Sequence, residues 1–152
     1  NGQWKRNHPM GQDHVRGAFK AYSKECFSEI GGLRPAMGWD TIDELLARFF
    51  GFETQTLDQL EVKHLRPLGA GYSARSTQLQ GVAFYSMRYG ILLSVLASLK
   101  NALTQKSTWT FFQLIKGFQK AKQEQTPFLI TAEQGKFIRN YRWNKIWNKI
   151  SR

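Results

Sequence analysis

The longest apolar run in the chain, Ile91-Leu92-Leu93 with Val95-Leu96 and Leu99, covers about ten residues, where a helix needs ~20 to cross a bilayer. That shortfall settles one point for this stretch: it does not span a membrane by itself. The pattern around it is helical from Gln80 onward. Two further helices are expected at about residues 108–122 and 132–149, carrying Trp109, Phe111, Phe112, Phe118, Phe137, Tyr141, Trp143 and Trp147 among basic residues. Aromatics at helical spacing point first to a core. Interleaved with Lys and Arg, they also suit the boundary between water and lipid.

With 152 residues, 41% of them hydrophobic and 14% aromatic, the chain can bury one real core, which excludes disorder as a global reading. It opens at Asn1 on a polar, basic stretch with no apolar leader and reads as a piece of something longer. Its net charge is +11, and the excess is placed unevenly: residues 1–100 hold twelve Lys/Arg against nine Asp/Glu, residues 101–152 ten against two. A basic tail of this kind faces nucleic-acid phosphate or anionic lipid, or is simply a solvated helix face. Cys26 is the sole cysteine, so an internal disulfide and a thiolate metal site are both excluded and a reducing compartment is the simpler inference.

The front half is punctuated more finely. His14 to Tyr22 reads as a short strand, Ser23 as a helix N-cap, Lys24 to Ile30 as a short helix, and Gly31-Gly32 as its stop. After a loop with Pro35 and Gly38, Thr41-Ile42-Asp43-Glu44 has the form of a capping box, which leaves Asp40 just outside the helix. Ile42, Leu45, Leu46, Phe49 and Phe50 recur at three- and four-residue steps, so one face of that helix packs inward before it ends near Gly51. Thr54 to Leu57 and Leu60 to Leu65 read as strands, and Pro67, Gly69 and Gly71 make residues 67–80 a loop.

The stretch from Val15 to Phe52, "VRGAFKAYSKECFSEIGGLRPAMGWDTIDELLARFFGF", followed by "VKHLRP", resembles the distal half of the catalytic domain of glycosyltransferase family 2. There a strand and helix leading to a Gly-Gly turn precede an acidic motif at the start of a helix that ends in glycine. Members of the family also commonly continue with helices like Gly81 to Gly90. The resemblance implies an α/β chain: residues 1–79 as the acceptor-side part of a GT-A fold whose donor-binding half lies upstream, and residues 80–152 as an amphipathic basic helical extension. It implies an inverting transferase moving a sugar from a nucleotide-sugar donor to a saccharide or lipid-linked acceptor in cell-envelope glycan synthesis.

On this resemblance the acidic motif falls on Trp39-Asp40, with Trp39 standing where Glu is usual, and Asp40 corresponds to the catalytic base. Inverting transfer requires one, because an acceptor hydroxyl is a poor nucleophile until a positioned carboxylate takes its proton. Asp43 and Glu44 are the fallback carboxylates and acceptor contacts, and Trp39 a surface for stacking on a sugar ring. His64 corresponds to the histidine that completes a divalent-metal site, for Mn²⁺ or Mg²⁺. Arg66, and Arg75 in the following loop, are suited to the donor diphosphate. The chain would then work in the cytoplasm, peripherally at the inner face of the cell membrane.

Each residue also has an ordinary structural role open to it: Asp40 as a helix cap, Asp43 as a first-turn charge, Trp39 as a core aromatic, His64 as a satisfied strand histidine. The Gln-x-x-Arg-Trp motif of processive synthases is absent, which disfavours a processive enzyme. Two other classes stay open: a nucleic-acid-binding module, for which no reader motif accompanies the charge, and a non-catalytic membrane-associated scaffold.

Overall fold

The computed structural model describes residues 20–57 and 74–151, and 70% of the described residues are helical, with no strand among them. The α/β expectation is therefore overturned. The reason is visible at Thr54 to Leu57, read above as a strand: a strand's amides and carbonyls need a ladder partner, and none runs beside this segment among the described residues. Thr54 instead accepts a hydrogen bond from the Arg48 guanidinium, tying the segment back to the helix it leaves. Residues 20–22 are likewise outside regular structure; the rest of the His14–Tyr22 strand, and Leu60 to Leu65, lie outside the described residues.

The chain divides into two compact units, one of Asn1–Leu33 with Asp40–Leu65, the other of Arg34–Trp39 with Arg66–Arg152. In the first, α1 (Lys24–Glu29) starts where Ser23 accepts a hydrogen bond from the Cys26 amide, the cap expected of it. It stops where the amides of Gly31 and Gly32 return to the carbonyls of Ser28 and Phe27. The next helix, α2 (Trp39–Phe49), begins earlier than Thr41: the Trp39 amide already bonds to Ala36, and Asp40 belongs to the first turn rather than preceding it. The capping-box reading is thereby corrected. Ile42, Leu45 and Leu46 are buried as their spacing demanded, whereas Phe49 is half-buried and Phe50 lies exposed beyond the helix. The helix closes at Gly51, whose positive φ (84°) lets the Phe52 amide reach back to Ala47.

The second unit contains α3 (Ala74–Ser86), α4 (Gly90–Gln105), α5 (Thr108–Gln123) and α6 (Ala132–Ile150). The loop expected over residues 67–80 thus gives way to helix from Ala74. α3 and α5 pack against each other, and two glycines set how closely. A Cβ on Gly81 would lie 2.9 Å from the Leu114 carbonyl carbon, and one on Gly117 2.8 Å from that of Gln78. Each helix thus rests on the backbone of the other. Beside this crossing, Gln78 donates to Gln113 at 2.6 Å, with Leu114, Phe118, Thr77 and Thr110 buried nearby in sequence on the same two helices.

α4 and α5 are joined through Lys106, left-handed at φ 50°, and Ser107, whose hydroxyl caps α5. The links before α4 and after α5 are bound together by Arg88, which donates to Ile130 O at 2.9 Å, lies 3.6 Å from the centroid of the Phe128 ring, and accepts at its own carbonyl from Arg139. A full capping box, Thr131 with Gln134, then starts α6. Gly117→Ala is expected to destabilise the chain by about 3 kcal/mol, the upper range for overpacking, because backbone rather than a flexible side chain stands in the way. Urea denaturation would measure it; a change within error would mean the two helices separate without cost.

Candidate functional site

Three carboxylates lie in the first two turns of α2, and their surroundings sort them into two kinds. Lys20, twenty residues upstream, reaches all three positions. Its ammonium pairs with Asp43 at 2.8 Å and with Glu44 at 3.0 Å, and it also donates to the backbone carbonyl of Asp40. The side chains of Lys20 and Asp43 are only 5% exposed and that of Glu44 11%. Two negative charges on a buried helix turn would be prohibitive without such a counter-ion. Asp43 is further satisfied by the Tyr22 hydroxyl and the Glu44 amide, both of which donate to it.

Asp40 differs. It is half-exposed, and Lys20 holds it by its main chain rather than by its carboxylate. Among the described residues, the hydrogen bonds and ion pairs that fix Asp43 and Glu44 leave the Asp40 carboxylate uncommitted. The cluster therefore anchors one end of a helix and presents a single carboxylate from its first turn.

The cluster also marks its neighbours. Burial, the hydrogen bond to Asp43 and the charges of Asp43, Glu44 and Cys26, in that order, push the Tyr22 phenol well above the usual tyrosine range. Burial and then Asp43 push the Cys26 thiol up, which keeps it protonated and poorly nucleophilic.

The other expected site residues are placed as follows. Trp39 opens α2 and is half-exposed. Arg75 belongs to the other unit, exposed in the first turn of α3 rather than in a loop. His64 and Arg66 lie outside the described residues. Among the described residues no group of three or more His, Cys, Asp or Glu side chains converges, and Asp43 and Glu44 are both paired with Lys20. Sequence reasoning missed Lys20 and Tyr22, for which no local signal exists; only the burial of two adjacent acids, Asp43 and Glu44, hints that a cation must come from elsewhere in the chain. No protein-family model, curated protein or solved structure matches this chain.

Lys20→Met is expected to cost about 3 kcal/mol of stability in urea denaturation, since it strands two buried carboxylates. A cost under about 1 kcal/mol, the value of an exposed pair, would show that the cluster is solvated. Tyr22 gives a pH signature. Its phenol is raised in the folded chain, so its contribution is complete below the ordinary tyrosine value of 10.0 and is lost as pH climbs above it. Wild-type stability should therefore fall more steeply than that of Tyr22→Phe above that pH. Parallel curves would remove Tyr22 from the cluster.

Proposed function

We propose that this chain is the acceptor side of an inverting glycosyltransferase, with Asp40 as the general base. One observation carries the reading: of the three carboxylates at the start of α2, two are locked into a buried ion cluster, and the third is held by its backbone, with its side chain uncommitted among the described residues. The resemblance of the surrounding sequence to glycosyltransferase family 2 supplies the reaction class. The proposal depends on this helix-borne carboxylate and not on a sheet.

In the proposed step the acceptor hydroxyl gives its proton to the Asp40 carboxylate as its oxygen attacks the anomeric carbon. The bond from that carbon to the nucleotide diphosphate breaks on the opposite face, so the diphosphate leaves with the electron pair and the configuration inverts. Lys20 acts as a positioning residue. By gripping the Asp40 carbonyl and pairing with the next turn, it fixes where the base stands, and positioning is a large part of what such a base contributes. The acceptor is a saccharide or lipid-linked glycan, and the protein works peripherally at the cytoplasmic face of the membrane. No helix among the described residues is long and apolar enough to cross a membrane, which is compatible with that placement.

Asp40→Asn keeps the size of the side chain and removes its basicity. In the intact protein it should lower kcat by at least about a hundred-fold, the low end for losing a general base, with donor binding nearly unchanged. Transfer at the wild-type rate would exclude Asp40 as the base.

A further inference from the structure

α4 is built the wrong way round for a helix of a water-soluble unit. Its buried side is made of Leu93, Ser94, Ser98 and Ala102, mostly small residues, while its other four leucines face outward. Leu92, Leu96, Leu99 and Leu103 follow one another at steps of four, three and four residues, which sets them in one stripe along the helix. They are 60%, 36%, 47% and 70% exposed. The apolar character does not stop at the helix end, because Trp109 and Phe112 at the start of α5 are exposed too. A stripe of this size does not stay in water by default.

From these features we infer that α4 is the surface by which the protein seats itself in an anionic lipid bilayer, lying in the plane of the interface with its leucine stripe among the acyl chains. Charge identifies the occupant. α4 has no acidic residue, Lys100 and Lys106 stand exposed on it and at its end, and the chain from residue 101 onward has ten Lys/Arg against two Asp/Glu. Lysines beside an apolar stripe meet phosphate headgroups favourably. A second copy of the chain would bring the same lysines together with no acid on α4 to receive them. The sixteen residues of α4 are too few to cross a bilayer, which leaves the in-plane arrangement, with Trp109 suited to the headgroup level.

This inference gives the peripheral placement proposed above a specific surface, and it is independent of sugar transfer. Vesicle binding can fail while Asp40-dependent transfer stands, and the reverse. The test is co-sedimentation of the full chain with vesicles of phosphatidylcholine alone and of equimolar phosphatidylcholine and phosphatidylglycerol. Strong binding is expected only to the anionic vesicles. Leu92→Gln with Leu103→Gln should weaken it by at least about a hundred-fold, as expected for withdrawing two leucines from lipid. Lys100→Gln with Lys106→Gln should weaken it by roughly ten- to thirty-fold.

All four side chains are exposed, so circular dichroism and melting should match the wild type. Quenching of wild-type tryptophan fluorescence by brominated lipid, reduced in Trp109→Phe, reads the same contact without touching the stripe. Absence of vesicle binding, or binding that ignores the leucines, would overturn the inference. So would lipid-free dimerisation that Leu92→Gln with Leu103→Gln abolishes, since the stripe would then belong to a second copy.

Discussion

A single ammonium group makes the start of α2 possible. Asp43 and Glu44 are adjacent and buried, a placement that low dielectric forbids unless a cation shares the space, and Lys20 is that cation. One positive charge against two negative ones leaves an excess, which the Tyr22 hydroxyl and the Glu44 amide disperse by donating to Asp43. The same Lys20 holds the Asp40 carbonyl, so the position of the half-exposed carboxylate follows from the burial of the other two. Stability and presentation of the proposed base are thus one arrangement seen from two sides.

The second unit solves a different problem. α3 and α5 come close enough for Gly81 and Gly117 to lie against opposing backbone, and α4 turns its own small residues, Ser94, Ser98 and Ala102, inward. Small residues bury little apolar area, so these contacts gain from close approach rather than from large side chains. The consequence is that most of the bulk of α4, in Leu92, Leu96, Leu99 and Leu103, is left outside. The outward stripe is the complement of the inward choice of small residues.

Local signals in the sequence were legible where local chemistry decides. Ser23 capping α1, the Gly31-Gly32 stop, Gly51 ending α2 and the starts of α5 and α6 near 108 and 132 all depend on a few neighbouring residues. So did the inward face formed by Ile42, Leu45 and Leu46. Signals failed where distant parts decide. Thr54 to Leu57 has strand-forming residues, but a strand exists only with a partner, and Arg48 claims Thr54 instead. Thr41 and Glu44 have the spacing of a capping box, but Glu44 is drawn to Lys20, and the helix extends back to Trp39. The aromatics of the basic tail split in a way their spacing did not foretell: Phe118 is buried, Trp109, Phe112 and Trp147 are exposed, and the others lie between.

That the acidic stretch stands at a helix start was legible in the sequence, but how its carboxylates are paired was not. The acidic stretch at Asp40 to Glu44 drew attention through its place before a helical run, and the structure keeps it at a helix start. What separates a base from a structural acid is which carboxylate is neutralised, and that is decided by a lysine twenty residues from the nearest of them. A carboxylate pinned by an ammonium at 2.8 Å cannot move to meet a hydroxyl without stranding that ammonium in a buried place. Asp40, which among the described residues is held by its carbonyl alone, carries no such penalty. That asymmetry, rather than the presence of acids as such, is the physical ground for choosing Asp40 over Asp43 and Glu44.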